Sequence, residues 1–147
     1  MYRIAKCNFR FEAAHRLPQL PKDHPCRNLH GHSWVVDVLI YGNLSEETGF
    51  VIDFGHLKFI KEFIDKNLDH SVLVSKGDTE LLELCKKIGT KYFYFDMEIL
   101  SAETLARFFA EQVVAPTLSS KKNITAIEVS IWETINNQAT YTLSLEG

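Results

Sequence analysis

The stretch Cys26-Arg27-Asn28-Leu29-His30-Gly31-His32 brings one thiol and two imidazoles close together along the chain. On a β-strand, residues two apart project to the same face, so His30 and His32 can offer two nitrogens to one ion, with Gly31 leaving room between them. His15 can supply a third if its own strand pairs alongside. Three imidazoles without a fourth protein ligand are the arrangement of a catalytic zinc, because the metal prefers four-coordinate geometry and the vacant position takes water or substrate. The alternative is a set of hydrogen-bonded histidines at the rim of a core. The H-x-H spacing on an apolar face favours the metal. No chemistry is assigned to His24, in a proline-rich loop, or to His56, on a predicted helix.

Cys26 lies four residues before His30, near enough to stand beside a metal without ligating it. A free thiol has a pKa near about 8.5, and a neighbouring cation lowers it toward thiolate. On spacing alone Cys26 is either a base or an inert loop cysteine, while Cys7 and Cys85 are read as inert core thiols. Asp69 and His70 are adjacent, and an Asp that orients a His tunes a base. The same pair at a helix end can also be a simple dipole contact. Glu133 stands on the apolar parity of a strand, where a carboxylate must be paired, neutral or bound to something. Its two oxygens would match a ring edge with adjacent N–H donors, such as a pterin or guanine edge; the plain alternative is a strand-end Glu in water.

The elements that must position these groups follow from periodicity. Residues 3 to 15 alternate, with Ala5, Cys7, Phe9, Phe11 and Ala13 on one parity that His15 continues. Residues 30 to 41 alternate again, with His30, His32, Trp34, Val36, Val38 and Ile40 together. The intervening RLPQLPKDHPCRN holds three of the four prolines and reads as a loop. Asp53 is positioned to cap a helix with Phe54, Leu57, Ile60, Ile64 and Leu68 inward, ending near Asn67. Ser101 opens a second helix, with Leu105, Phe108, Phe109 and Val113 inward and Pro116 near its end. A hairpin closes the chain, Ile127, Val129 and Ile131 on one strand and Ala139, Tyr141, Leu143 and Leu145 on the other. Residues 71 to 100 carry a short helix near Glu80 to Lys87, a strand at Lys91 to Phe95 and no assigned chemistry. The order strand, strand, helix, helix, strand, strand predicts an α+β fold, a four-stranded antiparallel sheet with two helices on one face.

A chain of 147 residues, 46% hydrophobic and 24% charged, fits one soluble domain over residues 1–147. The formal charge of −3 offers no global basic field for nucleic acid or anionic membrane, so an anionic substrate needs local positive groups. Three cysteines, odd in number and without a CxxC pair, argue against a disulfide framework and for a reducing compartment. Without a secretion-signal core or a membrane-length apolar run, a cytoplasmic protein is expected.

Taken together, FEAAHRLP, CRNLHGHSW, LDH at 68 to 70, SAETLA at 101 to 106 and IWET at 131 to 134 closely resemble the 6-pyruvoyltetrahydropterin and 6-carboxytetrahydropterin synthase family, in the right order over nearly the whole chain. The resemblance implies the tunnelling fold (T-fold) and a homohexamer built as a dimer of trimers, with active sites between subunits. It implies that His15, His30 and His32 ligate Zn²⁺, that Cys26 accepts the proton, and that Asp69 and His70 are its acid-base partners. Glu133 would anchor the pterin and link to the relay. Ser101 and Glu103 match the segment that lines the pterin pocket, although Ala102 and Thr104 depart from its commoner Thr-Thr-Glu-Asn form.

The spacing C-x-x-x-H-G-H resembles the bacterial 6-carboxy enzymes of queuosine and other 7-deazapurine biosynthesis, whereas animal pyruvoyl enzymes carry two more residues there. The implied substrate is the small molecule 7,8-dihydroneopterin triphosphate, cleaved to 6-carboxytetrahydropterin, acetaldehyde and triphosphate. Two other readings stay open. One is a pyruvoyl enzyme that stops before carbon-carbon cleavage. The other is a non-catalytic zinc-stabilised binding module, which would have no need of Cys26, Asp69, His70 and Glu133 together.

Overall fold

The computed structural model describes residues 1–145 of the chain. Strands β1 (Tyr2–His15) and β2 (His30–Gly42) form the long antiparallel pair at the centre, and β5 (Ile124–Thr134) and β6 (Asn137–Ser144) extend the sheet antiparallel from β2. These are the four strands that alternation predicts. Two short strands, β3 (Ser71–Val74) and β4 (Tyr92–Tyr94), add to the other edge in parallel fashion, giving the order β4-β3-β1-β2-β5-β6. The sheet is therefore mixed and six-stranded, not four-stranded and antiparallel. The extra pair belongs to a strand-helix-strand crossover through helix α2 (Thr79–Ile88), a connection that parallel neighbours require. Its strands of four and three residues are too short to display a period.

The first predicted helix is continuous but of changing pitch. Asp53 accepts from the Gly55 N–H (2.8 Å) to cap a 3₁₀ turn, Phe54–Leu57, which runs into α1 (Lys58–Phe63) and ends in a π turn, Ile64–Leu68. Leu57, Ile60, Ile64 and Leu68 are buried as their spacing predicts, whereas Phe54, read as part of that stripe, is exposed. Ser101 caps α3 (Ala102–Phe108), which passes through a π turn, Phe109–Val114, into α4 (Ala115–Leu118). Both helical runs join one core with the inward faces of β1, β2 and β5. Helix α2 packs apart from it, burying Leu81 and Cys85 against Val74.

The β1 pattern breaks at one point. Lys6 pairs with Val38 and Phe9 with Val36, so Cys7 and Asn8 together oppose Asp37 in a β-bulge. Asn8 adopts φ 64° and donates its N–H to Asp37 Oδ1 (2.9 Å). The extra residue reverses the parity: Ala5 and Cys7, expected inside, are exposed, while Phe9, Phe11, Ala13 and His15 are buried. The bulge thus lets a strand with a charged, open N-terminal half present an apolar face further on. Asn8→Val, which forces a β-branched residue into a left-handed conformation, is expected to lower stability by about 1–2 kcal/mol. Asn8→Gly should stay near wild type; urea-unfolding midpoints of the two variants check this.

Candidate metal centre and active site

The register of β1 against β2 assembles the histidines. His15 pairs directly with His30, and Ala13 with His32, so the three rings converge at one end of the ladder. Their centroids lie 4.7 Å (His15 to His30), 5.3 Å (His15 to His32) and 4.8 Å (His30 to His32) apart. Trp34 forms the floor, its ring edge-on to His15 and His32, with its indole N–H donating to the Ala13 carbonyl (3.1 Å).

Main-chain carbonyls fix two of the rings. His15 Nδ1 stands 2.8 Å from the Leu100 carbonyl and His30 Nδ1 2.6 Å from that of Asn28. A carbonyl only accepts, so Nδ1–H is the donor in each, and a neutral ring then keeps a lone pair on Nε2. Burial depresses the His15 pKa to about 4, against a partial opposing effect of the Leu100 hydrogen bond. Burial also lowers that of His32, opposed by the nearby Glu133 carboxylate. Both are therefore neutral near pH 7, the form that ligates a metal.

Glu133 arrives from β5 through a second bulge. Trp132 pairs with Gln138 and Thr134 with Asn137, leaving Glu133 as the extra residue. Its Oε1 lies 3.2 Å from His32 Nε2 and 3.4 Å from His15 Nε2. Yet the Nε2 atoms of His15, His30 and His32 are all buried without a hydrogen-bond partner. Ligand atoms of the four residues fall within 4.8 Å of one another. The Nε2 lone pairs of His15 and His30, with His32 Nε2 and a carboxylate oxygen beside them, repel one another unless a cation stands between them, so these residues fit a metal ion. Three imidazole nitrogens suit a first-row divalent metal with an open fourth position, which the Glu133 carboxylate borders.

Asp69 and His70 touch, which adjacency alone does not require. His70 Nδ1 lies 3.1 Å from Asp69 Oδ2, and Asp69 Oδ1 accepts from the Glu12 N–H (2.9 Å). That backbone bond, then His70 and Lys91, hold the Asp69 carboxyl below its ordinary range. His70 has φ 61° and donates its N–H to the Glu12 carbonyl (2.7 Å), so β1 stitches the corner on both sides. Lys91 binds the Asp65 and Asp69 carbonyls at 3.0 and 2.7 Å. His70 and His32 line one cavity of about 410 Å³, together with Glu12 and Ser33. Glu103 and Glu133 line another of about 380 Å³ with Asn137, Gln138 and Thr140.

The remaining predicted residues stand further off. Cys26 is half-buried on a 3₁₀ turn, Pro25–Arg27, outside the four-residue group and both cavity walls. The Ser101 hydroxyl accepts from the Thr104 N–H (3.2 Å) as a helix cap, so its side chain is already engaged. The carbonyls of Leu100 and Asn28 were not found from sequence, since backbone acceptors carry no residue signature. Nor was the forked pair in which Arg16, beside His15, donates from Nε (2.8 Å) and Nη2 (2.5 Å) to the nearly buried Asp78 cap of α2. No helix among the described residues is long and apolar enough to cross a membrane.

A family model described as 6-pyruvoyl tetrahydropterin synthase matches residues 4–144. The chain is similar to the 6-carboxy-5,6,7,8-tetrahydropterin synthase of Rickettsia conorii, 31% identical over 136 residues, which span 90% of this chain and 96% of that one. It is likewise 31% identical to the enzyme of that name from Aquifex aeolicus over 161 residues, 95% of this chain and 97% of the other. Among solved structures, the 6-pyruvoyl tetrahydropterin synthase of Plasmodium falciparum matches with a TM-score of 0.75 at 20% identity, over 97% of this chain and 98% of that one. That likeness carries the fold, so the expected T-fold stands, with six strands in its sheet.

Because His15 has a pKa of about 4 when folded and an ordinary value near 6.5 when unfolded, the unfolded chain takes up the proton first as pH falls. Without metal, stability should fall between about pH 6.5 and pH 4, by on the order of 3 kcal/mol, and His32 adds in the same direction. Asp78, held low chiefly by Arg16, loses its contribution only at lower pH, as the folded carboxyl titrates. Urea midpoints measured with a chelator across this range check the slope, which His15→Gln should reduce.

Proposed function

The chain belongs to the 6-pyruvoyl tetrahydropterin synthase family, and from that premise we propose that it is a zinc-dependent 6-carboxy-5,6,7,8-tetrahydropterin synthase, a carbon-carbon lyase of queuosine and 7-deazapurine biosynthesis. The substrates are 7,8-dihydroneopterin triphosphate and one water, and the products are 6-carboxytetrahydropterin, acetaldehyde and triphosphate. The observation that carries the reading is the set of three convergent histidine Nε2 atoms, buried and without hydrogen-bond partners, facing a carboxylate. Two relatives 31% identical over at least nine-tenths of this chain bear the 6-carboxy name, which favours that product over the pyruvoyl one. The three-residue gap between Cys26 and His30 supports the same choice. A single domain over residues 1–147 working in a cytoplasmic homohexamer, with sites between subunits, completes the reading.

His15, His30 and His32 hold the zinc ion through Nε2, with Nδ1–H of His15 and His30 spoken for by carbonyls. A bound zinc supplies Lewis acidity toward the side-chain hydroxyl oxygens of the substrate, making the adjacent C–H more acidic. Cys26, as thiolate, takes that proton. His70, oriented by Asp69, returns a proton to the product side chain, and the backbone bond from Glu12 keeps Asp69 ionised for the task. Glu133 accepts N–H donors of the pterin ring, with Glu103 on the wall of the same cavity. Ser101 acts through the helix it caps, and the carbonyl of Leu100, just before that cap, reaches His15.

Incubating the zinc-loaded protein with the substrate and identifying products by mass tests the assignment. Acetaldehyde with 6-carboxytetrahydropterin is expected, whereas 6-pyruvoyltetrahydropterin alone would replace the reading by the pyruvoyl one. Cys26→Ala should keep zinc and bind pterin but lower turnover by about 10²-fold or more, the scale of a lost general base. For Glu133→Gln, pterin affinity should fall while zinc content, read by atomic absorption, stays near one per chain; loss of zinc instead would make Glu133 a ligand.

A further inference from the structure

The turn that carries Cys26 is held by a residue to which the sequence assigns no chemistry. His24 Nδ1 accepts the Cys26 N–H at 3.1 Å, standing as the N-cap of the Pro25–Arg27 turn. Pro25 occupies the first position of the turn and has no N–H to satisfy, so the Cys26 N–H is the first donor that needs a partner. On its other side Cys26 is tied down as well, since its carbonyl accepts the Leu17 N–H at 3.0 Å. The turn then closes through the Asn28 N–H to the Pro25 carbonyl (3.1 Å), and the Asn28 carbonyl holds His30 Nδ1 (2.6 Å). A hydrogen-bonded chain therefore runs from the His24 ring through the peptide of Cys26 to a metal-site imidazole.

We propose that His24 is a positioning residue: by capping the turn it fixes the Cys26 N–H, while Leu17 holds the Cys26 carbonyl, and so sets the place of the thiol relative to His30. The inference deepens the proposed function and rests on the role given there to Cys26. An imidazole is not special for this purpose, because any short side chain with an acceptor caps a turn, and Asn is among the best. What the turn needs is an acceptor at position 24. Removing it frees the Cys26 N–H to water and loosens the thiol, while leaving the histidines on their strands.

The test compares His24→Ala and His24→Asn in the zinc-loaded full chain, in a Cys7→Ala background that removes the exposed thiol; Cys85 is buried and slow to react. Expected for His24→Ala is a kcat lowered in proportion to the lost closed-turn fraction, with KM and zinc content unchanged. Alkylation of Cys26 by iodoacetamide, which reads the open turn directly, should speed up roughly five- to tenfold, the population change one lost cap corresponds to, and His24→Asn should restore both values. Wild-type kcat and alkylation rate in His24→Ala would overturn the proposal, and so would a His24→Asn variant as impaired as His24→Ala. If the parent protein does not turn over dihydroneopterin triphosphate, the proposed function fails, yet the alkylation rates still decide whether His24 positions the thiol.

Discussion

The site depends on one pairing register, that of β1 against β2. With His15 opposite His30, three rings meet at one end of the ladder over the Trp34 indole. A slip of a single residue would send His30 and His32 to the other face of the sheet and leave His15 alone in the core. The register is held by the apolar faces of both strands, Phe9, Phe11 and Ala13 on one and Trp34, Val36, Val38 and Ile40 on the other, all buried. Hydrophobic packing along the strands thus specifies a polar cluster at their end.

That cluster gains its chemical character from surroundings that hold no conventional partner. Burial disfavours a proton on His15 and, less completely, on His32. Carbonyls from two separate segments, Asn28 before β2 and Leu100 before α3, take the Nδ1 hydrogens and leave Nε2 as the free donor atom. The bulge at Glu133 then turns a carboxylate toward the same point. Each element contributes one constraint, and together they bring four ligand atoms to a place that could hold a metal ion. The corner at Asp69 and His70 shows the same economy, since a single residue of β1, Glu12, binds both the carboxylate and the following peptide.

Much of this was legible in the chain as written. The histidine parities, the Asp53 and Ser101 caps and the hairpin at the end are short-range patterns with local causes, and the structure keeps them. What escaped was of two kinds. A period-two count puts Ala5 and Cys7 inside because it cannot foresee that Asn8 adds a residue to the strand and reverses the faces. Strand β3 is too short to alternate, and only its long-range pairing with β1 identifies it, whereas β4 lies within the strand expected at Lys91 to Phe95. The carbonyls of Leu100 and Asn28, and the capping ring of His24, act through backbone groups that every residue type possesses.

The order of the donors along the chain has a consequence for assembly. The three imidazoles lie between positions 15 and 32, on strands that neighbour each other in sequence, whereas Glu133 comes from β5 and the Leu100 carbonyl from the segment before α3. A metal can therefore meet its nitrogens as soon as the first hairpin emerges during synthesis, long before the carboxylate exists. The ion would then pin the β1–β2 register while the rest of the sheet is still missing. The same early affinity carries a cost in equilibrium terms, because an ion that already binds the partly folded chain stabilises the finished fold by less than its native affinity suggests.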